Sequence, residues 1–280
     1  MTAHSICTTL ALLIGAGNAL AQPRLGVSTK TPKAGDPVLV TVAGVDARPK
    51  GTGGRVPLVF FRVRGGWQAV FAVPHDDPPS ELRVEIDGGL KETLTIRAYE
   101  FPQEAVTIAP ELGEPPASMA KRIDADNGAI INAARNSAPP IFQVPFRYPT
   151  GRITSPFGAV RMYNGDIYKS QHLGMDVSAS LGAPVRAVAR GKVALVYDGF
   201  LVGGTVVVVH GAGIASVHFH MSEIGVAVGD EVERGAVLGK VALVGRTTGP
   251  HIHVGIWVAG GFVDPAVFAR LKLASPDEKR

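Results

Sequence analysis

The stretch "GTVVVVHGAGIASVHFHM", residues 204–221, decides the fold. Four consecutive valines are β-branched and stiff at χ1, which favours strand over helix. The glycines at 211 and 213 punctuate the run, and a second strand-like segment continues from Ile214 to Met221. His210 closes the first segment just before the turn, where a packing role is the simplest one. His218 and His220 stand two apart, and residues two apart in an extended strand share a face. The expectation is therefore that both point the same way.

The same texture extends outward. "GAPVRAVARGKVALVYDG" (182–199) and "GDEVERGAVLGKVALVG" (229–245) are short strand-like runs between glycine turns, and they echo each other. Residues 24–100 also alternate in the strand manner: "DPVLVTVAGV", "VPLVFFRVRGGWQAVFAVP", "LRVEID" and "ETLTIRAYEF", with turn residues at 33–36, 51–54, 65–66 and 88–89. Strands at this spacing imply a small β-sandwich. The loop His75-Asp76-Asp77 before two prolines reads as a solvated turn. Between the two β regions, residues 102–116 are proline-rich and read as a linker. "SMAKRIDADNGAIINAARN" follows with Met119, Ile123, Ile130, Ile131 and Ala134 at a helical period, and Ser118 placed to cap it.

Composition agrees. The chain has 280 residues, 46% hydrophobic but only 6% aromatic, and its 34 glycines and 21 prolines suit many short strands. The net charge of +4 is spread without a Lys/Arg block, so no nucleic-acid stripe is expected; a mild positive excess suits an anionic polymer such as a bacterial cell wall. The first residues, "MTAHSICTTLALLIGAGNALAQP", read as a secretory signal with an Ala19-Leu20-Ala21 exit, although the segment before its apolar run has no Lys or Arg. That run is too short to span a membrane, and no later segment reaches spanning length. Cys7, the one cysteine, lies inside the signal, so no thiolate or disulfide remains in the mature chain.

Chemistry concentrates in the C-terminal half, which holds six of the eight histidines. Three motifs matter: "QHLGMD" with His172 and Asp176, "SVHFHMS" with His218 and His220, and "GPHIHVGI" with His251 and His253. On a strand His251 and His253 stand side by side, about 7 Å apart. Zinc accepts imidazole nitrogen and carboxylate oxygen, and a catalytic zinc keeps three protein ligands and an open position. Two histidines and one aspartate meet that need and leave one positive charge uncompensated, which favours ionising a water. Each motif alone recurs by chance. Their coincidence in one β-rich region of a secreted chain makes the site.

The order "SPFGAVR … HLGMD … GAPVRAVARGKV … VVVVHGAGIASVHFHMSEIGVAVGDEVERGAVLGKV … GRTTGPHIHVGIWVAGGFVDP" resembles the lysostaphin/LytM-type zinc metallopeptidases, peptidase family M23, over about residues 150–270. The preceding β region resembles, more loosely, the N-terminal β-domain of some bacterial members. The resemblance implies an antiparallel β catalytic domain of the duplicated hybrid motif type and one zinc ion held by His172, Asp176 and His253. It also implies catalytic roles for His220 and His251. His220 is matched rather than His218 because "HMS" and the following "EIGVAVGDEVERG" align with the family's "HLS" segment. Arg161 matches an arginine that follows the family's "FG", which suggests a groove or structural role. His218 stands where the family usually has tyrosine, at the groove edge or as a modulator of the site.

The reading is a mainly β chain: signal peptide 1–21, N-terminal β-sandwich 22–101, linker with helix 102–149, M23-like zinc peptidase domain 150–270 and tail 271–280. The expected function is a periplasmic or secreted zinc metalloendopeptidase acting on peptide bonds of peptidoglycan, with room for a regulatory protein partner. The oligomeric state is open. The alternative is a non-catalytic wall-binding or hydrolase-activating module, against which every ligand position is retained. A lipoyl-like or phosphocarrier module is a third reading; it requires a lysine at a hairpin tip, and Lys192 lies in a strand-like run.

Overall fold

The computed structural model of the chain describes residues 22–165 and 168–277. The expected signal segment, 1–21, lies outside these residues, as do 278–280 of the expected tail. Among the described residues no helix is long and apolar enough to cross a membrane.

The first eight strands are β1 (Arg24–Val27), β2 (Pro37–Ala43), β3 (Gly51–Gly53), β4 (Val56–Pro57), β5 (Phe61–Val63), β6 (Gly66–Ala72), β7 (Glu81–Ile86) and β8 (Leu90–Thr95). They form two four-stranded sheets, ordered β1-β2-β6-β5 and β4-β3-β7-β8. Val38, Val40, Val42, Ala69 and Phe71 point between the sheets and meet Val84, Ile86 and Leu94. The alternate residues Leu39, Val70 and Ala72 are buried too. They pack into a second core with Met175, Val177, Ile214, Val254 and Ile256 from the C-terminal half. Burial on both faces explains why "PVLVTVA" and "QAVFAV" read as near-continuous apolar runs. The sandwich thus shares a core with the C-terminal sheet. Hydrogen bonds from Ala72 N to Ala259 O (2.8 Å) and from Asp264 N to Gly35 O (2.9 Å) tie the two together.

The proline-rich stretch contributes structure of its own: β9 (Gln103–Val106) and the single-turn α1 (Pro110–Gly113). Helix α2 (Ala120–Ala134) follows. Ser118 does not cap it, because residues Ala117–Met119 form a 3-10 turn that leads into the helix and the N-cap makes no side-chain bond. Ile130 and Ala134 bury against Val207, Val217, Trp257 and Phe262. Asp126, one turn earlier on the same buried face, accepts from Arg122 Nε, Tyr197 Oη and Phe200 N at 2.7–2.8 Å.

The C-terminal half holds β10 (Ile153–Ser155), β11 (Val160–Tyr163), β12 (Tyr168–Gln171), β13 (Met175–Ser178), β14 (Pro184–Arg186), β15 (Gly191–Gly199), β16 (Gly203–Gly211), β17 (Ile214–Ser222), β18 (Glu231–Val232), β19 (Val237–Val241), β20 (His251–Val258), β21 (Gly261–Val263) and the short α3 (Pro265–Phe268). Ten of these strands make one antiparallel sheet whose main path is β10-β13-β20-β17-β16-β15-β18. The two echoing sequences meet in it, since β14 pairs with β19. Lys192 sits within β15, opposite Val209 and Glu231, and not at a hairpin tip. A separate three-stranded sheet, β12-β11-β9, flanks the large one, with β9 parallel to β11.

Behind the large sheet, His210 is fully buried. Its Nδ1 donates to Arg190 O (2.8 Å), and Nε2 accepts from Ser216 Oγ (3.0 Å). Ser216 Oγ in turn accepts from His218 Nε2 (3.1 Å). Burial pushes His210 from the ordinary 6.5 to about 4. A histidine depressed in the folded state contributes stability above pH 6.5, and that stability is lost as pH falls towards 4. Between pH 6.5 and 5 the loss is on the order of 2 kcal/mol for this group. The thermal midpoint of the native chain should therefore fall more steeply over that range than that of His210→Gln; parallel curves would contradict it.

Candidate metal centre

Strand register assembles the site. β13 and β20 run antiparallel with Asp176 directly opposite His253 and Ser178 opposite His251. On the other side of β20, Phe219 of β17 stands opposite His253. Directly opposed residues share a face, so Asp176, His253 and Phe219 form one row, and the period of two adds His251. His172 comes from the turn before β13, where His172 N donates to Ala159 O and Gly158 N donates to His172 O. Gly174 keeps that turn close: a Cβ there would lie 2.5 Å from Cε1 and Nε2 of His253 and 2.8 Å from Val254 O.

Three donor atoms converge. His172 Nε2 lies 3.1 Å from His253 Nδ1 and 3.1 Å from Asp176 Oδ1, and His253 Nδ1 lies 2.8 Å from the same oxygen. Ligands about 2.0–2.1 Å from a tetrahedral zinc stand about 3.3 Å apart, so this spacing fits one such ion. The three residues are at most 5% exposed. Their outer atoms are held from behind. His172 Nδ1 donates to Pro156 O (2.9 Å), which leaves Nε2 as the free donor nitrogen. Asp176 Oδ2 accepts from Arg161 Nη2, which also donates to Ser155 Oγ (2.9 Å). The His253 ring stacks on Phe219, 4.6 Å between centroids and 13° from parallel.

Two further imidazoles line the site. His251 Nδ1 lies 2.8 Å from Gly249 O, and its Nε2 sits 3.5 Å from Asp176 Oδ1 without a hydrogen bond. His220 Nδ1 donates to Val244 O (2.8 Å), and its ring centroid is 5.1 Å from that of His251.

His218 is elsewhere. It stands opposite Val254, on the face of β17 away from His253, and bonds only to the buried Ser216. Strict alternation predicts His218 and His220 on one face, but a bulge intervenes. Phe219 and His220 together oppose Thr205 alone, between the pairs His218–Val206 and Met221–Gly204. His220 takes φ +56°, the left-handed region, and both Phe219 and His220 then face the site.

Electrostatics suit a metal. Burial raises the Asp176 carboxyl, but the His172 and His253 imidazoles set against it outweigh that and hold the group far below the carboxylate range. Burial pushes His253 down to about 4, offset in part by Asp176. Burial, with the neighbouring His253 and His251, pushes His220 to about 3. Neutral imidazole is the form that ligates metal or accepts a proton. A 350 Å³ cavity opens beside these groups, walled by Leu173, Phe219 and by Ile130 and Ile131 of α2. A smaller one of 140 Å³ lies against Asp176 and His251, and Glu104, Val106 and Ile108 of the proline-rich stretch form its far wall. Ser155, Gly174, Phe219 and this wall escaped the sequence reading, because none carries a metal-ligand signature.

Residues 170–265 match the model of peptidase family M23. Over that span the chain is similar to the M23 peptidases. It is 36% identical over 118 residues to the DD-carboxypeptidase/endopeptidase Mpg of Neisseria meningitidis, covering 42% of this chain and 27% of Mpg. It is 33% identical over 137 residues to the peptidoglycan DD-endopeptidase ShyA of Vibrio cholerae, covering 48% of this chain and 32% of ShyA. The chain thus spans about a third of the length of these curated relatives. A Pseudomonas aeruginosa crystal structure described as an M23 peptidase is 29% identical, with a TM-score of 0.67 over 85% of this chain and 95% of that one. That likeness extends over the sandwich as well as the M23-like residues.

The tight seat at position 174 gives a test. Gly174→Ala should push the His253 ring aside, cost about 1–3 kcal/mol in stability and weaken zinc binding in a metal titration. Unchanged binding would contradict the seat described here.

Proposed function

We propose that this chain is a periplasmic or secreted zinc endopeptidase that hydrolyses peptide bonds of bacterial peptidoglycan, with His172, Asp176 and His253 as metal ligands. One observation carries the reading. Three converging donors lie beside two further imidazoles whose Nδ1 atoms are bound to carbonyls, so that each offers Nε2 to the site. The names of the relatives, DD-endopeptidase and DD-carboxypeptidase/endopeptidase, support the polymer as substrate.

Held by His172, Asp176 and His253, a zinc ion would supply Lewis acidity to the scissile carbonyl and to a water. His251 Nε2, near Asp176 and with its other nitrogen anchored by Gly249 O, takes the proton as general base. His220, fixed by Val244 O, orients the attacking water through its remaining nitrogen. Protonated His251 then returns the proton to the leaving amine. Arg161 holds the second oxygen of Asp176, so that the carboxylate presents Oδ1 inward.

The two histidines of "GPHIHV" then have different jobs, which mutants separate. His253→Ala should lose zinc. His251→Ala should keep one zinc per chain and lose at least 100-fold in cleavage. Purified protein incubated with sacculi, with and without chelator, reads both through metal content and released muropeptides. Loss of zinc in both variants would reassign His251, and chelator-insensitive or absent release would exclude the zinc-peptidase reading.

A further inference from the structure

Glu104 belongs to none of the motifs above. It lies in β9, within the stretch that reads as a linker, yet the parallel β9–β11 register sets it directly opposite Arg161. Its Oε2 accepts from Ser155 Oγ at 2.7 Å and lies 3.5 Å from Arg161 Nε. From these two partners the network divides. Arg161 Nη2 donates to Asp176 Oδ2, and Ser155 Oγ sits 3.2 Å from His172 Nδ1. Arg161 Nη2 also donates to Ser155 Oγ, closing the ring. One carboxylate from outside the large sheet therefore stands behind two of the three candidate ligands.

The charges make this consequential. Asp176 is the anionic ligand, and Arg161, largely buried against it, cancels its charge locally. A dication brought next to that neutral pair gains little net attraction. Glu104 restores one negative charge on the far side of the guanidinium. It also holds Arg161 by Nε, so that the Nη2 edge faces Asp176. Outer partners that orient ligands typically set metal affinity by 10–100-fold.

We propose that Glu104 is a positioning residue of the metal centre: by holding Arg161 and Ser155 it sets zinc affinity, so the proline-rich stretch completes the site instead of merely connecting two β regions. This rests on reading the cluster as a zinc site. It does not depend on the peptidase activity.

The test is zinc affinity of the full chain, measured by competition with a chromophoric chelator at pH 7.5, well below the unfolding temperature. Glu104→Gln keeps the size and an acceptor for Ser155 but loses the charge, and its dissociation constant should rise about tenfold. Glu104→Asp keeps the charge and should retain affinity closer to native. Glu100→Gln removes an equal charge from an exposed neighbour and should change affinity less than twofold. A Glu104→Gln constant within twofold of native overturns the proposal, as does an equal loss in Glu100→Gln. A lower thermal midpoint of zinc-free Glu104→Gln with an unchanged dissociation constant of the folded chain also overturns it. Failure of the native chain to bind zinc overturns this inference and the metal-centre reading together. Zinc binding without muropeptide release, with the tenfold loss in Glu104→Gln, overturns only the peptidase reading and supports this one.

Discussion

The whole site depends on one cross-strand pair, Asp176 of β13 opposite His253 of β20. A register slip of one residue turns every side chain of a strand to the other face. Such a slip in β20 would put Ile252 and Val254 where the histidines now stand and scatter the candidate ligands. What prevents it is the other face of the same strands. Met175, Val177, Val254 and Ile256 point into a core shared with Leu39, Val70 and Ala72 of the sandwich. Apolar packing on one side therefore sets ligand geometry on the other. The N-terminal β region is part of this arrangement, because its β1-β2-β6-β5 sheet contributes Leu39, Phe61, Val63, Val70 and Ala72 to that core.

Charge is the second constraint. An ionised aspartate at 4% exposure is costly to bury unless it is paired and hydrogen-bonded. Asp176 is both: Arg161 binds one oxygen, and His172 and His253 surround the other. The pairing draws in neighbours, Ser155 and then Glu104, until the network reaches the partly exposed β9. Burial keeps His253 and His220 neutral at physiological pH, the form in which an imidazole can offer a lone pair to a metal or to a water's proton. The same desolvation that makes the site expensive thus prepares its chemistry.

Much of this was legible in the sequence because strands have a period of two. That period placed His251 beside His253, and the glycine-punctuated valine runs announced the antiparallel sheet. The different roles expected of the two rest on resemblance to a family, not on spacing. Where the period breaks, the reading failed. "SVHFHMS" contains no glycine to announce that His220 adopts φ +56°, so the bulge was invisible and His218 was placed on the wrong face. β9 was hidden differently. Four residues between prolines carry no pattern strong enough to mark a strand, and its partner β11 lies far along the chain. Ser118 carried a capping signal, but the chain entered α2 through a 3-10 turn instead. The shared core was hidden too, since a run buried on both faces looks the same whichever layer covers it.

The central claim is that strand register gathers His172, Asp176 and His253, and not the adjacent His251 or His220, around one zinc ion. Crystals of the zinc-loaded chain measured on both sides of the zinc absorption edge locate the ion by its anomalous scattering alone. The account predicts one strong peak within about 2.0–2.2 Å of His172 Nε2, Asp176 Oδ1 and His253 Nδ1. A peak coordinated by His251 or His220, or no peak among these residues, would contradict it.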